Sequence, residues 1–345
     1  MQSRRIRVWA LAALVVLPVS AQAGVEWGGT ISTGRTQNLR FTLGAVMDFE
    51  GMVSETTRKL YDVTGAVASQ GDAESYSLND FNLDGPYGAV GLSLDMAWSF
   101  FRFQLDTMFL NPSTRATARR DYYIGVGDDI AYGGGSYDHL QIPAGQTFEA
   151  ELLGNMTELT LRFVPVGFRA GEFVSIDPSL DFGVLLFGGS YDIDAGDSTG
   201  VVQYQNPPEN FVVGGSSGGY MFMGAPQWGP GVDIRLGRSG GLQVDLQAHY
   251  LFATYDGSTA WLTTADHRDK DLEFDHRNLR FRGQVEIPLK RIALSLGVQA
   301  QFIETDGLVS SSATDPDEIL ALRERFDKEF SFSLSSVMAT FGIVF

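Results

Sequence analysis

The residues most able to do chemistry lie in short acidic and histidine-bearing stretches. Asp80-Phe81-Asn82-Leu83-Asp84-Gly85 reproduces the D-x-N-x-D-G opening of a calcium loop, where alternate oxygens converge on one ion and glycine makes the sharp turn. The twelfth position, which should carry a bidentate glutamate, is Gly91. Asp80, Asn82 and Asp84 therefore offer a loop-bound divalent cation on a partial match, and an Asx-rich turn ahead of a strand accounts for the same residues. The sequence points to no other metal or cofactor. The chain has no cysteine, which removes disulfides, thiolate metal sites and thiol nucleophiles. The positions two residues after His139, His249, His267 and His276 hold Gln, Leu, Asp and Asn, so no His-x-Ser pair exists. Asp266-His267 and Asp275-His276 form two acid–base pairs that read as a solvated acidic loop. His249, at alternate spacing from Asp245 and Gln247, reads as a hydrogen-bonded residue on a polar strand face rather than as a base. The run Gly214 to Gly219 has no following helix with Lys-Ser/Thr and reads as a loop, not a phosphate cradle.

The elements that must position these residues are strands. Leu39, Phe41, Leu43, Ala45, Met47 and Phe49 alternate with Arg40, Thr42, Gly44, Asp48 and Glu50, interrupted only by Val46. Side chains of a strand alternate faces, so this segment is oily on one side and charged on the other. The pattern recurs in Leu242 to Phe252 against Gln243, Asp245, Gln247 and His249, in Leu279 to Ile287 against Arg280, Arg282, Gln284 and Glu286, and again over 90–99 and 292–302. Ten such segments cover 38–50, 88–98, 101–110, 149–164, 179–193, 230–237, 242–254, 278–288, 291–304 and 330–345, within a range of 8 to 12. They are longer than the usual soluble strand of about five or six residues and suit a tilted membrane crossing. Aromatics gather near their ends, and short turns alternate with long loops over 51–88, 111–147, 195–228, 255–277 and 305–329. In the last of these, Asp315-Pro316 with Ile319, Leu322 and Phe326 predicts a short helix.

Arg4, Arg5 and Arg7, the apolar run Val8 to Val19 and Ala21-Gln22-Ala23 make residues 1–23 a cleavable signal peptide, with 24–345 as one domain. The apolar run of about 12 residues falls short of the roughly 20 a helical span needs. A net charge of −17, which loss of three arginines makes more negative still, excludes nucleic acid as a partner. A mean hydropathy of −0.03 is what a barrel with one wet face shows on average.

Counting back from the C-terminus, Phe345, Ile343, Phe341, Ala339 and Val337 share one face. A terminal aromatic preceded by apolar residues at every second position resembles the recognition signal of bacterial outer-membrane β-barrels. The resemblance covers the mature chain at the level of the superfamily. It implies an all-β, transmembrane, antiparallel up-and-down barrel with short periplasmic turns and long extracellular loops. It implies as partners the outer-membrane lipids and the barrel-assembly machinery, with Phe341, Ile343 and Phe345 as the assembly signal. Charge on the lipid face costs about 2–4 kcal/mol at the midplane, so the charged residues belong inside. The expected lumen lining is Arg40, Asp48, Glu50, Asp95, Arg102, Asp106, Asp233, Arg235, Asp245, His249, Arg280, Arg282 and Glu286, with Arg162, Glu158 and Asp181 on the same faces. Mixed charges in a narrow lumen pair across it, which favours a structural or surface-interaction barrel over a narrow porin-like channel. Barrel-embedded phospholipases need the missing His-x-Ser pair. Proteases of the omptin type need a pair of aspartates beside their Asp/His pair, and that pattern is absent around His267 and His276. The expectation is a barrel without enzymatic activity.

Overall fold

The computed structural model describes residues 23–27, 37–61, 67–98, 100–125, 139–197, 199–204, 209–238, 241–258, 270–289, 292–311 and 328–344. Ten strands close a ring: β1 Gln37–Tyr61, β2 Tyr87–Trp98, β3 Phe101–Leu110, β4 Thr147–Phe163, β5 Val174–Asp194, β6 Ser216–Gly237, β7 Gln243–Ser258, β8 Lys270–Leu289, β9 Ile292–Ser311 and β10 Lys328–Val344. Each pairs antiparallel with its neighbour in sequence, and β10 returns to β1, from Val344↔Asn38 up to Phe332↔Gly51. The fold is an up-and-down barrel of ten strands, as the alternation predicts. Phe345, His267 and the helix expected over 315–326 lie outside the described residues.

The barrel has two zones along its axis. At the short-turn end the apolar residues face out: Phe41, Leu43, Val90, Phe281, Val298 and Phe341 are all exposed, and Phe41 reaches 62%. Leu294 to Phe302 on β9 carry five outward positions over nine residues, a span of about 26 Å along a strand rising roughly 3.3 Å per residue. At a strand tilt of about 40° that span stands about 20 Å tall, most of the roughly 25 Å apolar band of a membrane-spanning barrel. The residues between them face in and are polar.

Towards the long loops the polarity inverts. Glu50, Glu151, Asp192, Asp194, Glu304 and Asp306 are exposed, while Phe49, Leu152, Phe187, Ile193, Ile303, Phe332 and Leu334 are buried inside. The expectation of a polar lumen throughout is thus corrected, because above the apolar belt the outer face meets water and the inner face becomes a hydrophobic core. Asp48 and Glu50 are corrected with it. A bulge opposite Ser335 and Ser336 inserts Met47 as an extra residue in β1. That insertion moves the apolar stripe from outside to inside, so Phe49 is buried and both acids face out.

The connecting segments are more ordered than loops of their composition suggest. Val67–Ser77 pairs with the upper half of β1, and Ser113–Thr117 pairs with β4. Tyr122–Gly125, His139–Ile142, Gly200–Tyr204 and Glu209–Val213 form a separate four-stranded sheet. The Gly214 to Gly219 run is not a loop throughout: Gly214 and Gly215 turn at φ 75° and 93°, and β6 starts at Ser216. At the opposite end, Ala23–Trp27 pairs with Val166–Ala170, which pairs in turn with the foot of β5.

Deleting Met47 should leave the inward phase of β1 unchanged and the barrel able to fold. Deleting Leu296 from the bulge-free β9 should invert everything beyond it and abolish the heat-modifiable folded band on cold SDS gels. Equal loss in both deletions would reject this account of the bulge.

Candidate functional site

The polar half of the interior is the candidate site. Its residues arrive by strand alternation: Arg40 on β1, Ser93 and Asp95 on β2, Arg102, Gln104 and Asp106 on β3, Glu158, Thr160 and Arg162 on β4. Asp177, Ser179 and Asp181 come from β5, Gln227, Asp233 and Arg235 from β6, Asp245 and His249 from β7, and Asn278, Arg280, Arg282, Gln284 and Glu286 from β8. Of the expected lumen residues, all but Asp48 and Glu50 point into this space.

They form two clusters of opposite charges. In the first, Arg40 bonds Asp95, Arg280 lies 2.9 Å from Asp106 and 3.3 Å from Glu158, and Arg282 lies 3.0 Å from Asp106 and 3.4 Å from Asp95. Three guanidinium groups thus meet three carboxylates. Amides complete the shell: Gln227 and Gln301 donate to Glu158 at 2.9 and 2.8 Å, and Gln299 accepts from Arg282 at 2.6 Å.

In the second cluster Arg102 bridges Asp233 and Asp177, the latter at 2.5 Å, and Arg162 reaches Asp233 at 3.3 Å. The His249 ring sits between two carboxylates, with Nδ1 2.6 Å from Asp181 and Nε2 3.4 Å from Asp233. Two arginines and one imidazole therefore face three aspartates. Ser179 Oγ donates to Asp181 at 2.6 Å. In the order Ser–Asp–His the serine hydroxyl donates its hydrogen bond to the carboxylate and not to the ring, which is not the arrangement of a Ser–His–Asp nucleophile. Nearer the short-turn end, Arg235 bonds Asp245 at 2.7 Å, and Gln284 donates to Asp245 and Glu286 at 3.3 and 3.0 Å.

Close packing around the His249 cluster uses Gly231. A Cβ on Gly231 would meet His249 Nδ1, Ser179 Oγ and Asp181 Oδ2, the last at 2.8 Å. Two cavities in this half measure about 80 Å³, beside Asp95, Arg102 and Asp233, and about 20 Å³, beside Asp106 and Glu158. Either holds at most a few waters. Above the polar half, Phe49, Phe187 and Phe332 meet with ring centroids 5.3 Å apart, and Tyr76, Phe81, Tyr122 and Phe148 continue the layer edge-to-face. Leu140 and Ile142 of the four-stranded sheet join this core.

The other predicted sites do not converge. Asp80 caps the 3₁₀ turn Leu78–Phe81, accepting the Ser77 N–H at 2.9 Å. Asn82 turns at φ 58° and donates to Thr114 at 2.9 Å, and the Asp84 carbonyl accepts from Phe49 N–H at 2.8 Å. These residues make the Asx-rich turn, and no group of three His, Asp or Glu among the described residues is placed to hold a metal. His276 points inward, between Thr305 at 2.7 Å and Gln227 at 3.0 Å, while Asp275 faces out to Thr254. Adjacent residues of a strand cannot act as a pair. Phe341 and Ile343 lie on the outer face of β10.

Sequence reasoning missed Asp177 and Gln227. Asp177 continues the alternation of Ser179 and Asp181, but Pro178 hid the start of the strand. Gln227 stands between Pro226 and Trp228, outside the expected strand.

No protein-family model matches the chain, and no curated protein matches it. Solved structures that resemble it include the outer membrane protease OmpT from Escherichia coli, at 9% identity and a TM-score of 0.40 over 91% of this chain and 99% of that one. A Pseudomonas aeruginosa FadL homologue follows at 8% identity and 0.20, over 90% of both chains. The P. putida toluene transporter TodX follows at 10% identity and 0.19, over 90% of this chain and 89% of that one. These are loose backbone likenesses, and no activity or substrate passes from them to this chain.

Replacing Arg280 by Ala removes the ion partner of Glu158 and one of the two of Asp106 in a buried site, and should cost about 3–5 kcal/mol in urea unfolding followed by tryptophan fluorescence. Replacing Arg115, whose pair with Glu149 at 2.8 Å is exposed, should cost under about 1 kcal/mol. Similar losses in the two variants would show that the interior is hydrated rather than pair-closed.

Proposed function

We propose that this chain is an integral outer-membrane barrel with a structural or surface-interaction role and a closed interior. The observation that carries the reading is the stack of two filled layers, an ion-paired polar layer beneath an aromatic one. The outward apolar belt supports membrane insertion, and the signal-like residues 1–23 with the C-terminal aromatic pattern support export to the outer membrane. In that setting the short turns are periplasmic and the acidic upper wall stands outside the cell. Outer-membrane lipids and the assembly machinery are then its constitutive partners.

The external wall is strongly acidic. Glu149, Glu151, Asp192, Asp194, Glu273, Asp275, Glu304 and Asp306 face out, with Arg115 and Arg277 paired to Glu149 and Glu304. Such a surface repels anionic partners and favours cationic ones. We infer no enzymatic role: His249 and His276 are each about 1% exposed, His249 Nδ1 is held by Asp181 and both ring nitrogens of His276 are hydrogen-bonded, which keeps both rings away from a substrate.

Planar-bilayer recording tests the closed interior. The protein should insert without sustained conductance steps. A stable wild-type conductance whose ion preference shifts in Arg280→Ala and Arg282→Ala would replace this reading with a narrow porin-like channel.

A further inference from the structure

Between the ion pairs and the aromatic layer, one side of the interior is neither charged nor aromatic. Met108 on β3, Met156 on β4 and Met338 on β10 point inward there, each no more than 5% exposed. They are the only methionines in the core among the described residues, and Met47, by contrast, is 54% exposed on the outer wall. Met108 and Met156 stand directly opposite each other in the β3–β4 ladder, a spacing that brings facing Cβ atoms within about 5.5 Å.

Met338 joins them across two bare positions. Going round the wall from β10 to β3, β1 places Gly44 opposite Met338 and β2 places Gly91 opposite Met108. Neither glycine fills the space over its own backbone. The Met338 side chain uses that space, since a Cβ on Gly44 would lie 2.8 Å from its Sδ. Its sulphur therefore lies on the β1 side of its own strand, the side on which Met108 and Met156 stand.

All three methionines line one cavity of about 20 Å³, with Asp106, Glu158 and Gln301 on its polar side. That is room for about one water or one bare ion. Methionine commonly serves as a flexible filler of core gaps. Here three flexible chains surround a gap instead of closing it. Thioether sulphur is soft, uncharged and without a proton to lose, and it selects soft metal ions over the hard ions that oxygen ligands hold. A univalent ion also suits the neighbouring carboxylates, which already share arginines, because it adds a single charge to a balanced cluster.

We propose that Met108, Met156 and Met338 form a three-sulphur site for a soft univalent metal ion of the Cu(I) class. The site goes beyond the surface role proposed above and holds whether or not the barrel conducts ions. The chain has no cysteine, so no thiol competes with the three thioethers for such an ion.

The test uses the full chain refolded in detergent in chloride-free buffer, with Ag(I) as a redox-inert probe and a heat-dependent gel shift to confirm folding. The folded protein should retain one silver ion per chain after desalting. Leucine conserves volume, so the variant carrying Met108→Leu, Met156→Leu and Met338→Leu should keep the gel shift and lose the silver. Each single change should weaken binding by at least the roughly tenfold that even an outer-shell loss costs, while Met47→Leu should leave it unchanged. X-ray absorption of the Cu(I)-loaded protein should show sulphur neighbours, and affinity should stay level from about pH 5 to 8, where a histidine site would titrate. Silver retained by the triple variant, none retained by the folded wild type, or nitrogen neighbours and binding that fades at low pH would each overturn the site. Should the triple variant lose the gel shift, the single variants decide, and unchanged binding in all three overturns the proposal.

Discussion

A charge that points into a ring of ten strands meets other side chains and very little water, so it must find an opposite charge within reach. A buried ion left unpaired costs several kcal/mol, and its attraction to a partner offsets that only with good geometry and full hydrogen bonding. The two largest interior clusters meet this constraint with basic and acidic groups in equal number. Arg40, Arg280 and Arg282 face Asp95, Asp106 and Glu158, while Arg102, Arg162 and His249 face Asp177, Asp181 and Asp233. Guanidinium suits the task because its fork of donors can serve two carboxylates at once. Glutamine and asparagine then occupy lone pairs that the arginines leave open. The outward apolar belt is the other side of the same alternation, since polar residues collected inside leave the apolar ones for the outer face.

The aromatic layer and the ion-paired layer protect one another. Phe49, Phe187 and Phe332 keep water from reaching the charges from the long-loop end, which preserves the low dielectric that makes the pairs strong. The rings in turn can pack inside only because the wall outside them is wet. Above the belt the barrel is built like a soluble protein, and below it the polarity is reversed. Each strand must therefore change phase. β1 does so with the Met47 bulge, and β5 does so through Val184 to Phe187, a run that is apolar on both faces.

Much of the fold was legible because strand alternation is strongest where the outer face is apolar and the inner face polar. The ten strands and the ring order follow from it, as do Arg40, Arg102, Arg280 and Arg282 as interior residues. Legibility fails where the outside becomes water. There the outward residues are acids and serines, the pattern resembles a loop, and the upper parts of β6, β8 and β9 read as connections. Asp48 and Glu50 were misplaced for a related reason. The residue spacing in β1 stays regular across Met47, and a bulge leaves no mark in composition. The pairing of each arginine was also hidden, because partners such as Arg40 and Gln284 are 244 residues apart.

The same boundary explains why the wall is allowed to lapse between β6 and β7. Within hydrocarbon every backbone N–H and C=O needs a protein partner, so a spanning barrel cannot carry an open edge. The β6–β7 ladder is accordingly continuous from Gly237 to Gly231, the stretch flanked outside by Leu236, Leu246 and Ala248; it skips Gly229 and Pro230 and resumes once, at Trp228↔Phe252. It stops at the aromatic patch of Trp228, Tyr250 and Phe252, where the belt ends. Above that level water can satisfy the two edges, and Pro226 withholds a donor at little cost. Each arm remains supported from its other side, β6 by twenty-one paired positions on β5 and β7 by its ladder to β8. Two residues lower, at Gly229 and Pro230, the ladder skips again, and there Pro230 has no N–H to leave unpaired.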